Sequence, residues 1–179
     1  MGPRAEQDRG VARFEVSVLA HMDPAYNLAR WLTRNGHDAE DLVQESILRA
    51  FQAFQGFRGT DGRAWLLAIV RNVCYTWLRR NRQQELTTEF DEEAHTLEGD
   101  VLNPETLVLR EGDKARVQQA LEELPAEFRE VLVLREIEGL SYKEISTVVD
   151  VPVGTVMSRL ARARGRLQRG LATRPGEER

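Results

Sequence analysis

The segment from Glu85 to Asp113 constrains the fold more than any other part of the chain. It holds ten acids (Glu85, Glu89, Asp91, Glu92, Glu93, Glu98, Asp100, Glu105, Glu111 and Asp113) against Arg110 alone, a net charge of −9. The blocks on either side have the opposite character. Arg63 to Gln84 contains five arginines and no acid, and Val151 to Gly176 contains six arginines and no acid. DNA responds to local charge, so the formal net charge of −4 does not argue against phosphate contact. Two basic blocks on an acidic spacer imply two DNA-contacting modules, joined by a linker that does not compete for phosphate. A chain of 179 residues has room for two small domains.

Composition removes several other classes. With 41% hydrophobic and 30% charged residues the chain reads as globular rather than disordered. Its longest apolar run, Ala64 to Val70, is far short of the ~18 residues that cross a bilayer, and no signal-peptide core opens the chain. A cytoplasmic protein without membrane contact of its own is expected. Cys74 is the one cysteine and His21, His37 and His95 are scattered, so neither a disulfide nor a metal site is expected. Cys74 reads as a small semi-buried helical residue. No cofactor and no catalytic constellation are expected, because His, Cys and Ser are not grouped and no glycine-rich phosphate loop occurs.

Apolar periodicity and capping signals predict an all-α chain of two small helical domains on a flexible acidic linker. Residues 1–20 are expected to be an extension, frayed at first, with a short helix over Val11 to Ala20. A first domain spans 21–85, with helices over Tyr26 to Arg34 (closed by Asn35-Gly36), Asp38 to Phe54, and about Arg63 to Gln83. In the second of these Val43, Ile47, Ala50, Phe51 and Phe54 fall on one face; in the third, Leu66, Ile69, Val70, Val73 and Trp77 do. The linker covers 86–112, a second domain 113–171, and a disordered tail 172–179. The second domain has helices over Lys114 to Leu124 and Ala126 to Glu138, with Pro125 suited to the first turn of the latter. Ser141 to Glu144 is a capping box, and a short helix to Val149 is followed by a turn at Asp150-Val151-Pro152. A last helix runs from about Val153 to Leu171. Short helix, tight turn and arginine-rich helix together read as a helix-turn-helix.

The faces of these helices carry the chemistry. On the last helix Val153, Val156, Leu160, Ala163 and Leu167 recur at core spacing. The opposite face then presents Thr155, Ser158, Ala161, Arg162 and Arg169. Ser158 and Arg162 are placed for base edges in a major groove, where Arg can hold guanine through two hydrogen bonds. Arg159, Arg164 and Arg166 suit phosphate, which positions without specifying. The helix from Arg63 carries a second basic face of Arg71, Asn72, Tyr75, Arg79 and Arg82, with Arg80 in the same block. Aromatic and amide groups among arginines fit unstacked, single-stranded bases. The helix from Asp38 exposes Asp38, Asp41, Glu45, Arg49 and Gln52, with Leu42 and Leu48 at the margins. That face repels DNA, and it reads equally as ordinary surface or as a modest protein contact.

From Asp38-Ala-Glu-Asp-Leu-Val-Gln-Glu-Ser-Ile-Leu-Arg-Ala-Phe51, through Trp65 to Arg82, to Ala120 through Leu167 with Pro104-Glu105 before it, the chain resembles the extracytoplasmic-function (ECF) sigma factors, group IV of the sigma-70 family. The resemblance implies sigma region 2 over 21–85 and sigma region 4 over 113–171. It implies a specificity subunit that joins core RNA polymerase, contacts its largest subunits through the Asp41, Leu42 and Glu45 side of the second helix, and performs no nucleotide chemistry itself. Asp38, Leu48 and Arg49 belong to the same contact. It implies that the loop Phe57 to Asp61, including Arg58, and the following helix open the minus-ten element, Asn72 helping to hold a flipped base. The helix-turn-helix then reads the minus-thirty-five element as duplex.

The same resemblance brings an anti-sigma factor as partner and a monomer as the free state. The chain departs from the family pattern in a shorter minus-ten loop, in Gly62 where a larger apolar residue is usual, and in Met157 where a base is usual. The acidic linker is expected to mask the basic faces until polymerase binds. Two other readings stand beside this one. A one-component helix-turn-helix regulator requires a ligand pocket or a symmetric dimer, and an enzyme with an appended DNA-binding domain requires a concave polar site in the first 85 residues.

Overall fold

The computed structural model describes residues 3–87 and 111–172, and side chains over 8–83 and 114–172. Of the expected linker 86–112 and tail 172–179, residues 88–110, with the masking role, and 173–179 lie outside the described residues, while 86–87, 111–112 and 172 belong to helices. Eight α-helices follow in order: α1 (Pro3–Ser17), α2 (Met22–Thr33), α3 (Gly36–Ala53), α4 (Gly62–Thr87), α5 (Glu111–Glu122), α6 (Ala126–Leu132), α7 (Tyr142–Val149) and α8 (Val153–Ala172). No strand occurs among the described residues. In the first domain α2, α3 and α4 pack against one another; in the second, α8 packs on α5, α6 and α7. The two domains also meet, α4 against α7 and α2 against α6, and their buried side chains run together in one core.

The periodic apolar positions account for that core. Leu66, Val70 and Val73 of α4 are buried as expected, joined by Leu67 and Cys74, while Ile69 and Trp77 are half-buried. The first turn of α4 is capped by Asp61, whose Oδ1 accepts a hydrogen bond from Ala64 N at 2.9 Å. Such a bond satisfies one of the amides that a helix start leaves without a partner. Beside it, Gly62 has a strict requirement: a Cβ there would lie 1.9 Å from the Ser17 carbonyl oxygen. The end of α1 fills the space a larger residue would need, which gives the departure at Gly62 a physical reason.

Several boundaries and faces differ from expectation. The leading helix starts at Pro3 and buries Phe14 and Val18 in the core, so the first twenty residues are more than an extension. Asn35 and Gly36 do not close a helix. Thr33 ends α2, Arg34 takes the left-handed φ of 59°, and Asn35 caps α3 by accepting from Asp38 N at 3.1 Å. Phe51 is exposed because Phe14 occupies the core beside Phe54, leaving Phe51 edge-on to Phe14 at the rim with ring centroids 5.2 Å apart. Val153, the first residue of α8, is exposed, and the buried stripe of that helix begins at Val156.

In the second domain Pro125 immediately precedes α6, and its carbonyl accepts from the amides of Phe128 and Arg129, each at 3.0 Å. A wider turn of π-helix over Val133–Ile137 carries α6 on to the expected end at Glu138. Gly139 reverses the chain with φ of 67°. The capping box forms in full: Ser141 Oγ accepts from Glu144 N at 3.2 Å, and Glu144 Oε2 accepts from Ser141 N at 2.7 Å. These bonds hold the Glu144 carboxyl below its usual pKa. Asp150, left-handed with φ of 53°, ends α7 and turns the chain into α8, completing the helix-turn-helix.

Two substitutions test these local determinants. Ser141→Ala removes the cap and is expected to destabilise the chain by about 1 kcal/mol in urea unfolding. Gly62→Ala forces a methyl group into the Ser17 carbonyl and is expected to cost about 1–3 kcal/mol in the same measurement, the range for overpacking.

Candidate nucleic-acid interface

The outward face of α8 follows from which residues it buries. Val156, Leu160 and Ala163 are buried and Leu167 is packed against them. Ser158, Ala161, Arg162 and Arg169 are therefore exposed and Thr155 is half-buried. Ser158 Oγ donates to the Thr155 carbonyl at 3.0 Å, and Met157 stands exposed beside it. The three arginines expected at phosphate all have partners within the chain. Arg164 Nη2 donates to Glu136 Oε1 at 2.7 Å in an exposed pair, and Arg166 lies over the Phe128 ring at 4.9 Å. Arg159 is half-buried, 3.8 Å from Glu127 and 3.7 Å from Glu130. A pair as exposed as Arg164–Glu136 contributes little and yields readily to another anion.

The basic face of α4 divides into an open and a covered part. Asn72, Arg79, Arg80 and Arg82 are exposed, and Arg79 Nη2 lies 3.4 Å from Thr76 Oγ1. Arg71 and Tyr75 are half-buried, because α6 lies over them and the Glu130 carboxylate accepts from Arg71 Nε at 2.7 Å. The expectation of one uninterrupted exposed face is corrected to that extent. In the preceding loop the Phe57 ring packs on Trp65 with centroids 4.6 Å apart, Arg58 Nη1 donates to the Gln55 carbonyl at 2.7 Å, and Asp61 is engaged as the cap of α4.

On α3 the residues Ala39, Leu42, Val43, Ser46 and Ala50 form its buried stripe. Leu42 is only 7% exposed, so it supports the acidic face from beneath and does not form part of its surface. Leu48, by contrast, is 64% exposed. It is flanked by exposed Asp41, Glu45 and Arg49, with Asp38 half-buried. Arg49 Nη2 donates to Glu45 Oε1 at 2.5 Å.

Sequence reasoning missed the residues that join the domains. Arg129 donates to the carbonyls of Trp31 and Leu124, both at 2.7 Å. Glu138 accepts from Asn27 Nδ2 at 2.9 Å and receives Arg63 on its main-chain carbonyl. A signal was present in Phe128-Arg-Glu-Val-Leu-Val-Leu134, where two charged residues sit inside a run too apolar for a solvated helix, and buried charges require partners.

Two helical domains, one of them a helix-turn-helix, define the class of chain. Residues 18–84 match the family described as Sigma-70 region 2, and residues 114–167 match Sigma-70, region 4. The chain is 36% identical over 166 residues to the RNA polymerase sigma-H factor of Pseudomonas aeruginosa, covering 88% of this chain and 86% of that protein. It is 38% identical over 158 residues to the ECF RNA polymerase sigma-E factor of Salmonella typhimurium, covering 84% and 82%. It is also 38% identical over 163 residues to the ECF RNA polymerase sigma factor SigE of Mycolicibacterium smegmatis, covering 89% of this chain and 62% of that longer protein. Among solved structures, the sigma factor RpoE in complex with the anti-sigma factor NepR from Bartonella quintana is similar at TM-score 0.70 and 29% identity, over 90% of this chain and 98% of that one. CnrH in complex with the cytosolic domain of CnrY is similar at TM-score 0.57 and 27% identity, over 94% and 88%. The chain belongs to the ECF sigma factors of the sigma-70 family.

This is a family of transcription regulators rather than catalytic enzymes. No group of His, Cys, Asp and Glu placed to hold a metal occurs among the described residues. No described helix is long and apolar enough to cross a membrane. Cys74 is fully buried, and burial pushes its thiol pKa up to about 12, far from the thiolate that reacts. A thiol-titrating reagent at neutral pH is therefore expected to find no reactive group in the folded chain and one after denaturation; rapid labelling of the folded chain would contradict this.

Proposed function

We propose that the chain joins core RNA polymerase, directs it to promoters with a minus-ten and a minus-thirty-five element, and helps to open them, the polymerase performing all nucleotide chemistry. The observation that carries this reading is the pairing of α4 and α8. Each is an arginine-rich helix, and each lies in the matched sigma region where promoter contact is expected. On α8, Ser158 and Arg162 meet base edges and Thr155 borders them, while Arg159, Arg164 and Arg166 hold phosphate. On α4 and its loop, Asn72 and Tyr75 engage unstacked bases with Phe57, Arg58 and Asp61 at the entrance, and Arg71, Arg79, Arg80 and Arg82 track the strand.

The polymerase contact uses exposed Asp41, Glu45, Leu48 and Arg49 with Asp38 at its edge. An apolar side chain within a charged rim is how a modest protein contact is built. Two similar solved sigma factors are held in complex with NepR and with CnrY, which supports an anti-sigma partner for this chain too. The protein acts in the cytoplasm, where the polymerase is, and is a monomer when free.

Reconstitution decides the matter. Core polymerase with the chain is expected to give run-off transcripts from a subset of genomic fragments. Arg162→Ala should cost about 1–3 kcal/mol and relax specificity within the minus-thirty-five element. Leu48→Asp should weaken polymerase binding while leaving the fold intact. If no polymerase complex forms and the free chain binds duplex DNA tightly as a dimer, the reading is wrong and a one-component regulator replaces it.

A further inference from the structure

The loop from Phe57 to Asp61 is exposed from Arg58 onward, yet both of its ends rest on α1. At its start the half-buried Phe57 ring packs on Trp65 with centroids 4.6 Å apart and stacks on Phe54 at 6.0 Å. Phe54 in turn meets the buried Phe14 ring of α1 edge-on at 5.2 Å, and the Arg13 guanidinium lies over it at 5.4 Å. At its end Gly62 is buried against the last carbonyl of α1, so closely that a Cβ would lie 1.9 Å from the Ser17 oxygen. Between the two ends Gly59 lies against the Phe57 ring, where a Cβ would stand 2.8 Å from Cε2. Helix α1 itself precedes residues 18–84, which match sigma region 2.

We propose that α1 positions the loop for base selection in the minus-ten element: Phe14 and the Ser17 carbonyl fix the two ends of the loop, and its preference among bases depends on both. The consequence for promoters rests on the proposed function above; the brace does not. The loop's other contacts are local. Arg58 Nη1 donates to the Gln55 carbonyl at 2.7 Å and Asp61 Oδ1 accepts from Ala64 N at 2.9 Å, so they shape the loop without tying it to the rest of the domain. Phe57 and Gly62 supply that tie, and each leads to α1. Edge-to-face rings hold a preferred mutual orientation, so a leucine at 14 would keep the burial and lose the direction it gives to Phe54. At the other end, the C-terminus of α1 meets the N-terminus of α4, where the partial charges of the two helices are opposite and close approach is favoured. A base is told apart by hydrogen bonds that weaken steeply away from their ideal angles. A loop displaced from its two supports therefore loses discrimination between bases before it loses its hold on the strand. Phe14 and Ser17 are positioning residues in this sense, and Gly59 and Gly62 leave the room they need.

The test pairs amide hydrogen exchange of the full free chain with run-off transcription by the holoenzyme from templates randomised in one promoter element at a time. In the free chain Phe57 N donates to the Phe54 carbonyl at 3.0 Å and Trp65 N to the Asp61 carbonyl at 3.3 Å, so the amides at both ends of the loop report its support. Phe14→Leu is expected to speed exchange over 57–65 by about fivefold or more, as when a local opening becomes easier, with exchange over 126–149 unchanged. In transcription it is expected to lower the preference for the best minus-ten base by about fivefold, the lower end of what a mismatched promoter position costs, and to leave minus-thirty-five preference as it was. Gly59→Ala pushes the Phe57 ring off Trp65 from the exposed side and is expected to lower minus-ten preference alike, without altering exchange in α1. A folded Phe14→Leu with wild-type loop exchange and wild-type base preference overturns the proposal. A loss of transcription equal across all templates does so too, since that is what a merely weakened fold would give. Should Phe14→Leu lose its helical circular dichroism, the wild-type holoenzyme decides: a single-stranded minus-ten oligonucleotide must slow exchange over 14–21 as well as over 57–65, coupling being reciprocal, and slowing at the loop alone overturns the proposal. Loop exchange that depends on Phe14 in a chain that supports no promoter-dependent transcription leaves the brace standing and removes the promoter reading instead.

Discussion

The junction of the two domains depends on one buried guanidinium. Arg129 is 1% exposed, and the charge it carries would be prohibitive to bury without partners. Burial lowers its pKa to about 10, which still leaves it cationic at neutral pH. Its partners lie where helices end. Trp31 is in the last turn of α2, and Leu124 follows the end of α5. Carbonyls in the last turn of a helix lack intrahelical donors and carry the negative end of the helix dipole. One cation therefore satisfies a carbonyl in each domain at a point where both favour positive charge. With Arg129 fixed in this way, its neighbour Glu130 is carried onto α4, and α6 has little freedom to lie elsewhere.

What could be read from the sequence divides along local and non-local lines. The spacing of Leu66, Val70 and Val73 located the core face of α4, and Ser141 with Glu144 located the start of α7, because periodicity and capping act over a few residues. Asn35-Gly36 was ambiguous for a physical reason. Asparagine can end a helix or begin one, and the left-handed turn fell on Arg34 instead. Leu42 lay at a margin of the helical wheel, and it is the approach of neighbouring helices that puts such a residue inside. Gly62 could be seen to depart from the family pattern, but its reason, the Ser17 carbonyl, belongs to a different helix.

The pairing of Arg71 with Glu130 is the clearest non-local case. Each residue looked ordinary in its own helix: an arginine on a basic face, and an acid in an apolar run. The run did show that Arg129 and Glu130 needed partners, without showing which. Assigning Arg71 wholly to DNA followed from reading one helix at a time. The described acid on the basic face comes from the second domain, and the linker over 88–110 lies outside the described residues.

The polar character of this junction bears on how it can be used. An apolar seam parted in water loses its stabilisation without replacement, whereas Asn27, Arg63, Arg71 and Glu138 can trade their partners for water, so each bond contributes only about 0.5–1.5 kcal/mol net. Glu130 and Arg129 differ, since removing either one alone would strand a buried charge. The junction is thus specific about how it closes, and opening it would also part the buried side chains of the two domains that run together in one core. A partner shifts such an equilibrium only by its difference in affinity for the two forms.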